Sequence, residues 1–235
     1  MTLWRGDRTE DTWRVQCSAR GTRRNYIAAC ACAMVTSMPA ETAFSSDARF
    51  DQASFLRWLR ARPASDLNHY ELIDGRIVMT PPSRWPHGRL DAKLNQLLGE
   101  HVERHKLGIV LGSSAGYELP SGDTVEPDAS FISTARLAAG PRPVTGKFLT
   151  VVPSLVVEIL SPSTSRRDRT EKKALYERNE VAEYWIVDPV KRAVTVFSLH
   201  RRRYGSARPI ASGSIRSRVL PRLRLSVARV FDLGT

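Results

Sequence analysis

An acid in the middle of an apolar run sets the strongest constraint on this chain. The run LVVEIL, residues 155–160, carries Glu158 between Val157 and Ile159. A charged stretch of helical character comes next, and then a second apolar run, EYWIVD, residues 183–188. This order reads as strand, helix, strand, ending at Pro189. A carboxylate inside a buried strand costs desolvation energy unless something pairs with it. A metal ion is one such partner, and a structural salt bridge is the other.

With 235 residues the chain can form one α/β domain with a real core, or two small domains at most. The apolar fraction, 42%, is ordinary for a globule, and no apolar run approaches the roughly 20 residues that span a bilayer. The formal charge of +12 invites a polyanionic partner without identifying a site. The charge is uneven. From residue 190 onward, Lys191, Arg192 and nine arginines between Arg201 and Arg229 face one acid, Asp232. Such an end either lies along a phosphate backbone or is a solvated, arginine-rich surface.

Residues 1–38 differ in character from residues 39–235. They hold all three cysteines, Cys17, Cys30 and Cys32. The remainder therefore has neither a disulfide framework nor a cysteine metal site, which suits a reducing, cytoplasmic setting. The YIAACACAMV run after Arg23 and Arg24 imitates a signal peptide, but its apolar part is short. The expectation is a disordered extension, or a translation start placed too early with Met34 or Met38 as the working start. A single domain is expected over residues 39–235.

Phe44 to Leu59 suggests a first helix, with Phe55, Leu56 and Leu59 on one face and Pro63 beyond its end. HYELIDGRIVMTPP has the pattern of a hairpin turning at Asp74 and Gly75. Glu71 alternates out of step with Tyr70 and Leu72, so it is either a surface acid or an acid facing a groove. A second helix is expected from His87 to His105, with Leu90, Leu94, Leu97 and Leu98 on its apolar face. His87, at its start, is either a local surface group or a contact for a ligand or phosphate. Strands are expected near Leu107 to Leu111 and Tyr117, and another is introduced by Glu126, Pro127 and Asp128. Residues 134–150 read as a loop, or as a short helix plus loop, the place expected for a mobile flap.

Asp128, Glu158 and Lys172 belong together in the argument. The last lies on a helix expected to begin near Asp168 with Ser165 as cap. If the strands of Asp128 and Glu158 are neighbours, the two carboxylates can hold one Mg²⁺ or Mn²⁺, completed by water and a substrate phosphate. A bound metal neutralises phosphate charge and acidifies water, and a lysine nearby can orient or deprotonate that water. The competing assignment pairs Glu158 with Arg166, Arg167 or Lys172 as a plain ion pair.

These residues also carry a resemblance. YELIDGRIVMTPP with the following His87, EPDASFI, LVVEILSPST, DRTEKKALYERNEVAEYWIVDP and the late PRLRLSV occur in one order, from about Phe55 to Leu225. In these motifs the chain resembles a large bacterial family of Uma-type endonuclease-like proteins in the restriction-endonuclease-like PD-(D/E)XK superfamily. The resemblance implies an α/β fold with a restriction-endonuclease-like core, a central mixed β-sheet flanked by helices. It implies a Mg²⁺-dependent DNA endonuclease in which Asp128 and Glu158 bind the metal and Lys172 assists the attacking water. Glu71 and His87 match recurrent polar positions near the cleft, and Asp168 and Tyr176 match the helix motif. The superfamily's usual lysine, two places beyond the second acid, falls at Leu160 and is absent here; Lys172 matches the family's alternative position. Glu180 stands where the family usually has glycine. A homodimer is compatible with cutting two strands. The rival expectations are a nucleic-acid-binding protein of the same fold without catalysis, and a structural or regulatory protein whose acids form only salt bridges.

Overall fold

The computed structural model describes residues 44–234. The three cysteines and both alternative start methionines lie outside the described residues. Among those described, no helix is long and apolar enough to cross a membrane.

The first described elements are β1 (Phe44–Ser45) and α1 (Gln52–Arg60). The expected helix over Phe44 to Leu59 is thus shorter than predicted. Its start is fixed by Asp51, whose side chain accepts from the Ser54 amide in a capping box. The residues before it instead pair with the edge of a hairpin, β2 (His69–Ile73) and β3 (Arg76–Thr80). Asp74 and Gly75 turn that hairpin with φ of 48° and 73°, the mirror-image turn that a D-G pair favours. Next comes α2 (His87–His105), which buries Leu90, Leu94, Leu97, Leu98 and Val102 as its periodicity demands.

β4 (Gly108–Gly112), β5 (Tyr117–Glu118), β6 (Thr124–Val125) and β7 (Ala129–Ser133) follow, then α3 (Thr134–Ala139) and β8 (Leu155–Ile159). A composite helix runs through α4 (Ser165–Arg167), a π-helical turn (Asp168–Lys172) and α5 (Lys173–Arg178). The chain closes with β9 (Glu183–Asp188), β10 (Ala193–His200), β11 (Arg203–Tyr204), β12 (Ser214–Ile215), β13 (Leu225–Ser226) and α6 (Val227–Val230).

Two sheets result, besides the β12–β13 pair. One has the order β1-β3-β2-β6-β5, and the other β11-β10-β9-β8-β7-β4. In the second, β8 and β9 are parallel and the remaining pairs antiparallel, giving a central mixed sheet. Odd positions of β8 (Leu155, Val157, Ile159) pack with α2 and the C-terminal segment, and Val156 packs with α5 and the smaller sheet. This alternation decides where Glu158 goes: toward the α5 side. Pro127 marks the point where the chain leaves the small sheet at β6 and enters the mixed sheet at β7. The strand expected to follow Pro127 and Asp128 is β7, and Val125 before them belongs to β6 of the other sheet.

Candidate active site

Three elements bring the acids together. In the antiparallel pairing of β7 and β8, Ala129 faces Val157 and Ser130 faces Val156. Asp128, the residue before β7, thus comes to the end of the pair where Glu158 lies, close enough for its charge to act on Glu158. The Asp128 Oδ2 atom accepts the Ile159 amide at 2.6 Å. Glu71 arrives from β2, where the alternation of a strand puts it on the face opposite Tyr70. It is buried and faces the groove, which resolves the two alternatives left by the sequence. Its Oε1 accepts the Glu126 amide at 2.9 Å, in the same crossover that carries Asp128.

Lys172 reaches this group from the composite helix. Its ammonium lies 2.9 Å from Glu71 Oε1 and 2.9 Å from Glu158 Oε1. The Tyr176 hydroxyl donates to the same Glu158 oxygen at 2.6 Å. The helix starts earlier than expected, at Ser165 with Thr164 preceding it, so Ser165 is not the cap. The Ser161 hydroxyl accepts the Thr164 amide at 3.2 Å and organises that entry. Asp168, expected to favour a helix end, instead lies inside the widened turn and is buried at 2% exposure. Asp168, Lys172 and Tyr176 share one face at spacings of four, and that spacing was the available sequence signal for Asp168.

The electrostatics are lopsided. Burial raises the Glu158 carboxyl well above its usual range, Lys172 opposes this, and Asp168, Asp128 and Glu71 add to it. Burial likewise pushes Asp168 up to about 6. For Lys172 burial acts to lower the ammonium, but Glu158, Glu71 and Asp168 outweigh it and hold the group charged. One fixed cation therefore sits among four carboxyl groups. The Tyr176 phenol is held protonated by burial and by Glu158.

His87 approaches from the start of α2. Its Nε2 donates to the Ile159 carbonyl at 3.0 Å and lies 3.5 Å from Asp128 Oδ2. Burial alone lowers its basicity, yet Asp128 keeps it raised. Its Nδ1 is buried without a partner among the described residues. Behind it, Asn95 donates to Asp91 Oδ1 at 2.5 Å and to the Asp128 carbonyl at 3.2 Å. His69, which the sequence did not single out, pairs with Glu126 Oε2 at 3.0 Å.

All five expected residues, Glu71, His87, Asp128, Glu158 and Lys172, line one cleft of about 500 Å³. Asp168, His69, Glu126 and Trp85 line it too. None of residues 134–150 does, so the expected flap is not a wall of this cleft; Phe148 packs instead against the cluster around Phe55 and Leu72. The walls come from residues 80–87 and 159–164. A larger groove of about 780 Å³ between α2 and β4 contains Asp91 and Asn95 but none of the Glu158 cluster.

A family model described as "Uma2: Putative restriction endonuclease" matches residues 53–228, well over half of the chain. The chain belongs to the Uma2 family. The match contains each of the five cleft residues, from Glu71 to Lys172. No curated protein matches the chain in sequence. Among solved structures, a nuclease from Anabaena variabilis, described as putative, superposes with a TM-score of 0.65 at 18% identity, covering 78% of this chain and 98% of that one. At that identity the likeness shows the fold, and the fold is restriction-endonuclease-like. The departure at Glu180 is accommodated: this Uma2 chain closes α5 with Glu180 at φ of 58°, while Val181 donates to Tyr176 and Glu180 to Glu177. That is the hydrogen-bond pattern a glycine normally completes.

Proposed function

We propose that the protein is a divalent-metal-dependent nuclease that hydrolyses phosphodiester bonds in DNA. The observation that carries this reading is that Asp128, just before β7, and Glu158, in the neighbouring β8, line one acid-rich cleft, with Asp128 bonded to the amide next to Glu158. Among the described residues no three His, Cys, Asp or Glu side chains form a ready cage. The donor chemistry still fits Mg²⁺ or Mn²⁺, because Mg²⁺ is commonly held by one or two carboxylates with water and substrate phosphate completing its shell. The crowding of acids that, with burial, raises Glu158 is what a bound cation would relieve.

Asp128 and Glu158 hold the metal. The chemistry such an ion would supply there is charge neutralisation at phosphate and a more acidic water. Lys172, held charged by two acids, serves as a fixed cation for the developing negative charge rather than as a base. Glu71 aims Lys172, and His87 steadies Asp128. A homodimer and a cytoplasmic location belong to the same proposal. The test is cleavage of plasmid and of single-stranded DNA with Mg²⁺ or Mn²⁺, comparing wild type with Asp128→Ala, Glu158→Ala and Lys172→Ala. Metal-dependent cleavage by the wild type alone is expected. Equal cleavage by all four overturns the assignment, and DNA binding with no cleavage by the wild type favours the binding protein of the same fold.

A further inference from the structure

We propose that Trp85 is a stacking platform for an unpaired base and that the strand entering the cleft is single-stranded DNA. This rests on the phosphodiester reading above and names its substrate class.

Trp85 is 63% exposed, an unusual place for the largest apolar side chain. It lines the cleft two residues before His87, which lies against Asp128. Among the described residues its ring pairs with no other ring and no cation, whereas Trp58 stacks on Phe55 and meets Tyr70. Val190, 92% exposed, lines the same cleft from the turn after β9. Apolar exposed groups thus converge at the mouth of a site whose floor is charged. Arg167, which also meets Glu171 at 3.9 Å, lines it as well and adds positive charge that suits a phosphate backbone.

The depth of the site argues for a single strand. Glu158, Asp168 and Lys172 are all buried at the bottom. A cleft of about 500 Å³ is in the size range that encloses one small ligand. One splayed nucleotide is of a size to enter it. Proteins that hold single strands combine aromatic platforms with cationic contacts, and every base offers a π-face to such a ring.

The experiment is fluorescence anisotropy with a labelled oligothymidine and a labelled hairpin duplex, in EDTA so that nothing is cleaved. The wild type is expected to bind the single strand more tightly. Trp85→Ala is expected to weaken single-strand binding about 5- to 150-fold, the loss for removing one stacked ring, with duplex binding unchanged. Trp85→Phe keeps a ring and is expected to restore most of the affinity. Circular dichroism checks that the variants fold. Unchanged single-strand binding by Trp85→Ala, an equal loss on both DNAs, or a wild-type preference for duplex overturns the inference. Such a result beside metal-dependent cleavage that Asp128→Ala abolishes leaves the nuclease reading standing. A clear Trp85 effect with no cleavage by the wild type refutes the catalysis and leaves the platform.

Discussion

Glu158 and Glu183 lie on neighbouring parallel strands of one sheet, both buried, on opposite faces. Their surroundings could hardly differ more. Glu183 receives the Trp185 indole N–H at 2.6 Å, the Ser217 hydroxyl at 3.0 Å and the Arg218 and Val219 amides at 2.8 and 3.3 Å. Four neutral donors satisfy it, and they fasten the C-terminal segment to the sheet. Glu158 receives one ammonium and one phenol and is crowded by other acids. A buried carboxylate is therefore no mark of a functional site by itself. What distinguishes the two is whether the surrounding dipoles complete the acid or leave negative charge for something else to balance.

The comparison breaks most decisively on activity. Glu158→Gln retains an acceptor for Lys172 and Tyr176 and removes one charge from a crowded cluster. It is expected to lower metal-dependent cleavage by about 10³-fold, the scale of losing a principal electrostatic contact in the transition state. Urea unfolding of the same variant should change by less than about 1 kcal/mol. A variant that unfolds readily instead would make Glu158 a structural acid like its neighbour.

Glu183→Ala probes the other side. It strands an indole N–H, a hydroxyl and two amides in the core, and should cost about 3 kcal/mol in urea unfolding. Cleavage per folded molecule should not change. If activity falls with stability intact, the two acids are not separated as described.

Asp168 sharpens the contrast through pH. Its folded carboxyl titrates near 6 against about 3.8 unfolded, so the folded state holds the extra proton between those values. Stability of the metal-free protein is then greatest below pH 4 as far as this group is concerned, and is lost as pH rises to about 6. Asp168→Asn should flatten that slope and raise stability at pH 7 by about 1–2 kcal/mol. Mg²⁺ should stabilise the wild type and have little effect on Asp128→Ala, read as a shift in Tm. An Asp168→Asn variant with the same slope as wild type would remove this group from the crowded cluster.

The smallest effect lies at the helix end that connects the two strands. Glu180 adopts a left-handed conformation that glycine tolerates better. Glu180→Gly loses an exposed pair with Arg202 at 2.7 Å, and such pairs contribute little. A net gain of about 0.5–1 kcal/mol in thermal unfolding is expected.

Much of the fold was legible in the residues. The apolar period of three and four gave α2 its limits, and the D-G pair gave the hairpin its turn, because both signals are local. The apolar run around Glu158 and its interruption were equally local. The first helix was placed too early because Phe44 and Ser45 are drawn into a hairpin edge, a contact between segments about 34 residues apart. The burial of Asp168 was missed because an acid near a helix start is usually read as a dipole partner. Glu183 attracted no notice at all: its partners Ser217, Arg218 and Val219 lie about 35 residues further on.

By itself, the sequence determined which segments are strands and helices and which acids interrupt apolar runs, since those come from side-chain period and turn chemistry. It also supplied the ordered motifs that the family match bears out. Only the tertiary structure decided which of two buried glutamates faces a cleft. That depended on the register between β7 and β8, on the hairpin that delivers Glu71, and on the π-helical turn that carries Lys172 inward. Period fixes which face of a strand a residue takes, but the covering of that face is set by distant segments packing together.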